Sequence, residues 1–146
     1  MSTGPLHIGV VTARFNEEIT SRLEEGAIRV LEKANVQIHR YKVPGAVEIP
    51  IVAKALIEKG CDGVVVLGAV IRGDTAHFDY VCQSVERGIT TLMLETGKPI
   101  GFGVLTTENE EQAMDRVGGS HGHKGEEAAH VTLEMIGLLK DIRQTK

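Results

Sequence analysis

The stretch GVVVLGAVIRGDTAHFDYV, residues 63–81, joins a continuous apolar run directly to a cluster of ionisable and hydroxyl groups. The apolar run lacks the alternation of a half-exposed strand, so it predicts a strand buried on both faces, as in the middle of a parallel sheet. The strand ends before Arg72, and the residues that follow include Asp74, Thr75 and His77. Because open parallel sheets bind ligands beyond the carboxyl ends of their strands, this stretch predicts both the fold class and the edge that carries the site.

Segments with a strand-like pattern and segments with a helical period alternate on both sides of this stretch. Strands are predicted at residues 7–12, 36–43, 63–71 and 100–106, and helices at residues 16–34, 48–59, 76–95, 107–117 and 124–143. Asn16 is expected to cap the first helix and Thr107 the fourth, and the glycine-rich residues 118–125 are expected to form a flexible turn.

This order of elements determines the expected fold class. Strands that are separated by helices pair in parallel through right-handed crossovers. The prediction is therefore an α/β protein, a three-layer α/β/α sandwich with a central parallel four-stranded sheet and flavodoxin-like topology. Residues 1–146 are expected to form a single domain, because the chain contains no linker, repeat or low-complexity segment.

Composition argues against several classes of partner. The chain is 42% hydrophobic and 25% charged, with a formal net charge of −4 and no basic run, which argues against nucleic acid. The first residues lack the pattern of a signal peptide, and no apolar stretch approaches the roughly 20 residues that span a membrane. Cys61 and Cys82 suggest neither a disulfide framework nor a metal site. A cytoplasmic protein without a membrane or nucleic-acid partner is expected.

Two residues that follow predicted strands are candidates for ligand contacts. Phe15 carries an aromatic ring at the end of the first strand, where it either stacks on a planar ligand or fills the hydrophobic core. Glu48 begins a helix, where a carboxylate either interacts favourably with the helix dipole or accepts hydrogen bonds from hydroxyl groups of a ligand. The sequence leaves both alternatives open for each residue.

His77 is the candidate for acid–base chemistry. It begins a predicted helix, whose terminal N–H groups suit a phosphate, and Thr75 can add a hydroxyl. An imidazole can accept and donate a proton near pH 7, although a capping or core histidine is the alternative. The residues alone therefore indicate an α/β enzyme that binds a phosphorylated small molecule.

The sequence GGSHGHKG, residues 118–125, gives only weak signals for a ligand. His121 and His123 lack a neighbouring third metal ligand, and the glycines match neither a Walker motif nor a dinucleotide fingerprint. Arg116 precedes this segment and Lys124 lies at its end, and their positive charges would suit an anion. No metal site is predicted.

Four motifs carry a resemblance to a known family: ARFN at 13–16, VPGAVEIP at 43–50, GAVIRGDTAHFDYV at 68–81 and FGVLTTENEEQAMDR at 102–116, followed by Lys124. In this order they closely resemble the lumazine synthases, over nearly the whole chain from about His7. The resemblance implies a transferase of riboflavin biosynthesis that uses no metal or organic cofactor. It would condense 5-amino-6-(D-ribitylamino)uracil with 3,4-dihydroxy-2-butanone 4-phosphate to 6,7-dimethyl-8-ribityllumazine, phosphate and water.

The same resemblance implies roles for individual residues. Contacts to the pyrimidine substrate would come from Phe15, Ala46, Val47, Glu48, Ala69, Val70, Ile71, Phe102 and Lys124. Contacts to the phosphate would come from Asp74, Thr75 and Arg116, and His77 would transfer protons. Of these residues, Phe102, Arg116 and Lys124 would face the site from a neighbouring subunit.

The implied assembly is a homopentamer, with association with riboflavin synthase as a further expectation. Shell-forming members carry an extra N-terminal segment, and many pentamer-only members carry an insertion at the turn 118–125. Neither feature is evident here, so pentamer, decamer and 60-subunit shell stay open. Val47 and His123 stand where an aromatic residue and asparagine are frequent. A catalytically idle, flavin-binding member of the family is the alternative, but it would not need both His77 and Arg116.

Overall fold

The computed structural model describes residues 4–145. In order, these residues form β1 (His7–Ala13), α1 (Glu17–Lys33), β2 (Gln37–Val43), a 3-10 turn (Ala46–Glu48), α2 (Ile49–Glu58), β3 (Gly63–Ile71), α3 (His77–Thr96), β4 (Ile100–Thr107), α4 (Glu110–Met114), β5 (Val117–Gly119), β6 (Gly122–His123) and α5 (Lys124–Gln144). The predicted alternation of strands and helices is confirmed.

The strands β1 to β4 form one parallel sheet in the order β2-β1-β3-β4. β3 lies inside the sheet, with Ile8 of β1 opposite Gly63 and Ile100 of β4 opposite Val64. The prediction that residues 63–71 form a central strand is therefore confirmed. All four strands run in one direction, so their carboxyl ends meet at one edge.

Alternate residues of β3 pack into two separate cores. Val65 and Leu67 pack with buried residues of α1 and α5, whereas Val64 and Val66 pack with buried residues of α2 and α3. Full burial of a side chain of this size contributes about 1.5–3 kcal/mol relative to exposure. The helices thus cover both faces of the sheet, which confirms the α/β/α sandwich and agrees with a flavodoxin-like topology.

The first helix begins differently from the prediction. Asn16 precedes α1 but makes no side-chain cap, and its φ of 65° lies in the left-handed region that asparagine tolerates. Its side-chain amide instead donates to the Ala69 carbonyl of β3 at 2.8 Å. The prediction that the Asn16 side chain caps α1 was wrong, because this side chain binds the carbonyl of Ala69 in a distant part of the chain instead.

The fourth helix is shorter than the predicted range 107–117. Thr107 still belongs to β4, where it lies opposite Ile71. The cap is Asn109, whose side chain accepts a hydrogen bond from the Gln112 N–H at 2.8 Å. Pairing with β3 therefore extends β4 beyond the predicted end and delays the helix to Glu110.

The predicted flexible turn at 118–125 is a β-hairpin followed by a helix. β5 and β6 pair antiparallel, and Gly118 and Gly122 adopt positive φ angles of 108° and 81°. Glycine adopts such angles without steric cost, so this sequence can form the hairpin. It does so although the turn has none of the β-branched residues that are enriched in strands. His123 ends the hairpin and caps α5, accepting a hydrogen bond at Nδ1 from the Glu126 N–H.

Neither the helices nor the cysteines suggest a membrane or disulfide role for this part of the chain. Within residues 4–145, no helix combines the length and the apolar character needed to cross a membrane. Cys61 and Cys82 are free thiols, and burial raises the pKa of the Cys61 thiol above its ordinary value, so the thiolate is disfavoured there.

Candidate active site

A cavity of about 610 Å³ lies at the carboxyl edge of the sheet, between the ends of β1, β2 and β3 and the start of α3. We call it the edge cavity. It is lined by Phe15, Asn16, Pro44, Gly45, Ala46, Val47, Glu48, Ala69, Val70, Ile71, Gly73, Thr75, His77, Phe78 and Val81. The candidates Phe15, Glu48 and His77, which come from three separate segments of the chain, thus line one space.

The inner wall of the edge cavity is the end of β3. Ala69 is buried, and Val70 and Ile71 are half-buried. The hydrogen bond from Asn16 to the Ala69 carbonyl ties the end of β1 to this wall. Because the end of β3 pairs with β4 on one side and accepts the Asn16 hydrogen bond on the other, its backbone forms a fixed surface against which a flat ligand can lie.

Phe15 presents its ring to the solvent at the mouth of the cavity. Its side chain is 72% exposed, and its N–H donates to the Pro44 carbonyl, which joins the ends of β1 and β2. The alternative that Phe15 fills the hydrophobic core is therefore wrong. An exposed ring beside a concave surface suits stacking on a planar group.

Glu48 uses one carboxylate oxygen within the chain and leaves the other available. Oε1 accepts a hydrogen bond from the Gly45 N–H at 2.9 Å, which fixes the carboxylate at the start of α2. Oε2 accepts no hydrogen bond from the part of the chain that the structure describes. The carboxylate therefore stabilises the turn, and its second oxygen is available to accept a hydrogen bond from a ligand hydroxyl.

His77 begins α3 and lines the cavity with an exposed imidazole. Its backbone N–H donates to the Thr75 hydroxyl oxygen at 3.3 Å. The side chain that accepts a backbone hydrogen bond at the start of α3 is therefore that of Thr75, not that of His77. The imidazole makes no hydrogen bond or ion pair to residues 4–145. His77 is thus neither a core residue nor a side-chain cap, and its ring can exchange protons with a bound ligand.

Asp74 lies in the same loop but is not among the residues that line the edge cavity. Its side chain is exposed and makes no hydrogen bond within the described chain. Thr75, in contrast, lines the cavity, and its hydroxyl proton is free to be donated while the oxygen accepts from His77.

Arg72 joins this loop to the end of β4. Its Nε donates to Glu108 Oε2 at 2.7 Å, and its terminal nitrogen lies 3.5 Å from Asp79 Oδ1. The guanidinium carbon lies 4.5 Å from the centre of the Phe78 ring, a cation–π contact. Residues 106–109 therefore do not line the cavity themselves but support it, through Arg72 and through the pairing of Thr106 and Thr107 with Val70 and Ile71.

Besides Asp74, three predicted residues do not line the edge cavity of their own chain. Phe102 is half-buried in β4 on the α2 and α3 side of the sheet. Arg116 is exposed after α4, and Lys124 opens α5. The Lys124 N–H donates to the Arg116 carbonyl at 2.7 Å, so the backbones of these two residues are joined at the base of the hairpin.

The histidines of the hairpin are occupied by structural contacts. His121 Nδ1 pairs with the Ser120 hydroxyl at 3.1 Å, and His123 Nδ1 accepts from Glu126. Over residues 4–145, no group of three or more His, Cys, Asp and Glu side chains is arranged to hold a metal ion.

Sequence reasoning gave no role to Arg72, Asn16, Phe78 or Val81 at this edge. Phe78 and Val81 lie on one face of the first turns of α3, a spacing that periodicity alone could have pointed out. Asn16 and Arg72 act through partners 53 and 36 residues away, and no local pattern signals such pairs.

Taken together, these groups suit one class of ligand. A ring at the mouth, a backbone wall, one free carboxylate oxygen, a hydroxyl and an imidazole surround a single concave space. Such a set can stack on a flat heterocycle, accept from its hydroxyl groups and move protons.

Known proteins of similar sequence share one description. Residues 5–140 match the sequence profile of the family described as 6,7-dimethyl-8-ribityllumazine synthase. Proteins with that name are 66% identical in Bdellovibrio bacteriovorus, over 95% of this chain and 78% of the relative, and 51% identical in Cytophaga hutchinsonii, over 88% and 83%. The corresponding protein of Streptomyces avermitilis is 43% identical over 97% of this chain and 89% of its own length.

Proposed function

This chain belongs to the 6,7-dimethyl-8-ribityllumazine synthase family, and from that premise we propose that the edge cavity is its active site. The chain is a transferase of riboflavin biosynthesis that forms 6,7-dimethyl-8-ribityllumazine. The observation that carries the proposal is the convergence of exposed Phe15, the free oxygen of Glu48 and the unpartnered imidazole of His77 on one cavity.

The proposed substrates are 5-amino-6-(D-ribitylamino)uracil and 3,4-dihydroxy-2-butanone 4-phosphate. A primary amine of the uracil attacks the ketone and releases water as an imine forms. Removal of the C3 proton then expels phosphate from C4 and leaves an enol, which tautomerises to a new ketone at C3. The second amine attacks this ketone, and a second water leaves as the ring closes. Each step transfers a proton, and only the departing phosphate needs strong charge stabilisation. A histidine and an anion-binding site are therefore sufficient to catalyse the reaction.

In this proposal the uracil occupies the inner part of the cavity. Phe15 stacks on the heterocycle, and the backbone of Ala69, Val70 and Ile71 contacts its edge. Ala46 and Val47 line the channel of the ribityl chain, whose hydroxyls donate to Glu48. The support is that all these residues line the same space and that the Glu48 carboxylate is held in place by Gly45.

The phosphate lies at the loop before α3. Thr75 donates its hydroxyl to a phosphate oxygen, Asp74 contributes from the same loop, and Arg116 supplies the charge. His77 moves protons between the amine, the imine and the enol, with an expected contribution of roughly 10²–10⁴-fold to the rate. Most of the remaining acceleration is expected from holding two reactants in register.

The other half of the site comes from a neighbouring subunit in this proposal. Phe102, Arg116 and Lys124 lie away from the edge cavity of their own chain, which supports a site shared between copies. We propose that the protein forms a homopentamer in the cytoplasm and that residues 1–146 act as a single domain. Measurement of the assembly size distinguishes the pentamer from a 60-subunit shell, and a binding assay tests association with riboflavin synthase.

The direct test is to incubate the purified protein with both substrates and to follow the absorbance of the lumazine product. Omission of either substrate should abolish product, and addition of EDTA should leave the rate unchanged. Absence of enzymatic product above the uncatalysed background would reject the proposed reaction.

A further inference from the structure

Arg72 lies one residue beyond β3 and holds more partners than any neighbouring loop residue. We propose that Arg72 is a positioning residue that fixes the loop 73–76 and the first turn of α3, and thereby sets Phe78 and His77 on the wall of the edge cavity. The kinetic part of this inference rests on the proposed function, whereas its structural part does not.

The contacts of Arg72 connect three elements. Its backbone N–H donates to the Thr107 carbonyl at 2.9 Å, and its Nε donates to Glu108 at 2.7 Å, so both ends of the residue are attached to the end of β4. Its terminal nitrogen reaches Asp79 in α3, and its planar face covers Phe78. Arg72 thus links the end of β4 to the start of α3 across the loop.

The loop itself has little else to hold it. Gly73 and Asp74 make no hydrogen bond to residues 4–145, and a side chain added at Gly73 would meet open space. The residues from Arg72 to His77 are all exposed. Because packing within one chain does not order this segment, the side-chain contacts of Arg72 are the main restraint that the chain itself places on the loop and the following turn.

The charge of Arg72 is already neutralised within the chain. Two carboxylates, Glu108 and Asp79, face the guanidinium from opposite sides of the loop. An arginine held in this way on a fixed pair of partners presents little net positive charge to a bound phosphate. The geometry therefore favours a positioning role over direct binding of the phosphate.

The ion pairs of Arg72 are too exposed to matter much for global stability. The side chains of Arg72, Glu108 and Asp79 are 40%, 59% and 55% exposed, and ion pairs of this kind contribute little to the free energy of unfolding. Their loss should appear as disorder of the loop and as slower turnover, because a displacement of about 1 Å in a positioned group can lower a rate by up to ~10²-fold.

The experiment compares Arg72→Met, Glu108→Gln, the double variant and a control. Arg72→Met keeps an apolar chain over Phe78 and removes the charge, whereas Glu108→Gln removes the closest partner without changing its size. The control is Glu58→Gln, which removes the carboxylate of the more exposed Lys54–Glu58 pair on α2, away from the loop. Each protein is measured for amide hydrogen exchange at residues 73–80 without substrate, and for kcat and for KM of the phosphate substrate.

The expected result is faster exchange at residues 73–80 in Arg72→Met and in Glu108→Gln, with kcat about tenfold lower, KM changed less than threefold, and no further loss in the double variant. Arg72→Lys should recover part of kcat, and Glu58→Gln should match the wild type.

Two results would overturn the inference. Unchanged exchange in both variants would mean that Arg72 does not order the loop, whether or not the protein is active. A tenfold rise in KM of the phosphate substrate in Arg72→Met, with Glu108→Gln unchanged, would mean that Arg72 binds the phosphate directly. If Arg72→Met does not fold, unchanged exchange in Glu108→Gln alone overturns the ordering of the loop, and Arg72→Lys replaces Arg72→Met in the comparison of KM values.

Discussion

At the scale of single residues, the edge cavity depends on side chains that the fold leaves in solvent. Phe15 is 72% exposed, although burial of such a ring would contribute about 1.5–3 kcal/mol. The ring is therefore not needed for the stability of the isolated chain. A substitution of Phe15 should change ligand binding without changing the free energy of unfolding.

Replacing Phe15 with Ala should raise KM for the uracil substrate about tenfold, because one stacking contact of roughly 1–1.5 kcal/mol is lost. The midpoint of denaturant unfolding should change little. Tyr41→Ala is the matched control, since Tyr41 is also exposed, at 53%, but lies on β2 outside the edge cavity. An unchanged KM in Phe15→Ala would remove the ring from the site.

Replacing His77 with Ala should lower kcat by about ten- to a thousandfold without abolishing it, since positioning of the two reactants retains part of the catalysis. The pH dependence of kcat should flatten at the same time. Because the imidazole has no partner in residues 4–145, the folded state should lose little stability. Wild-type rates at every pH would assign His77 a structural role.

Sequence reasoning succeeded at the residues whose position follows from the chain itself. Phe15, Glu48 and His77 each follow the end of a predicted strand or begin a helix, so the parallel sheet alone brings them to one edge. It failed for Asn16 and Arg72, whose partners lie far along the chain. Their side chains could form local caps or ion pairs equally well, and only the packed structure selects between these partners.

At the scale of elements, the contact between α1 and the start of α5 is unusually close. A Cβ added at Gly26 would lie 2.1 Å from the His123 ring, so the imidazole occupies the space that a side chain would need. The same imidazole caps α5 through Glu126. Gly26 thus determines how closely α1 and α5 approach each other. It thereby also affects the orientation of His123, which precedes Lys124 in the chain.

Replacing Gly26 with Ala should destabilise the fold by about 1–2 kcal/mol, because the ring must move and its cap is lost. This is opposite to the usual gain for Gly→Ala inside a helix. Gly137→Ala is the control, because nothing lies near its added methyl group, and it should stabilise by up to ~1 kcal/mol. The measurement is urea unfolding, and equal shifts in both variants would contradict the close approach at His123.

The same pair of helices carries a pH-dependent contact. Arg29 donates to Glu126 at 3.0 Å, and this hydrogen bond holds the pKa of the Glu126 carboxyl below its ordinary value of 4.5. A pKa that is lower in the folded state stabilises the fold above the ordinary value, and this contribution is lost as the pH falls through the lowered pKa. The pair is 53% and 40% exposed, so the effect is a fraction of ~1 kcal/mol.

Arg29→Met should therefore be slightly less stable than the wild type near pH 7, and the difference should fade as the pH falls below 4.5. Thermal unfolding at several pH values measures it. Arg22→Met on the same helix is the control, since Arg22 forms no ion pair within the described chain. A difference that grows on acidification would contradict the assignment.

Prediction of elements was least accurate between β4 and α5. Thr107 was expected to cap a helix but stays in the sheet, because a strand continues as long as its neighbour offers a partner. The hairpin at β5 and β6 escaped prediction because its residues are mostly glycine and polar, a composition shared with flexible turns. In both places tertiary pairing overrode the local pattern.

At the scale of the whole molecule, the proposed site is divided between two places on each chain. The edge cavity carries His77, and the base of the hairpin carries Arg116 and Lys124. Head-to-tail contacts that join one place to the other on the next copy produce a ring if they close. An isolated chain would then hold two halves of a site and no complete one.

Mixing two inactive variants tests this arrangement. His77→Ala and Arg116→Ala are unfolded and refolded together, so that both occur in one ring. Some interfaces then pair an intact His77 with an intact Arg116, and product formation should rise well above that of either variant alone. Each variant refolded separately and then mixed is the control. Mixed rings as inactive as their parents would disprove the shared site.

The order of the strands also governs how the chain reaches its native state. β1 lies between β2 and β3 in the sheet, but β3 is synthesised much later than β1. The His7 N–H at the start of β1, for example, donates to Asp62, 55 residues farther along the chain. Contacts between distant residues must overcome the entropy of closing a long loop, so parallel sheets of this kind fold slowly. On the ribosome, the edge cavity cannot form until β3 and the start of α3 have emerged. Until then the edge of β1 that faces β3 has unpaired backbone groups, so we expect the yield of folded protein to depend on chaperones as well as on native stability.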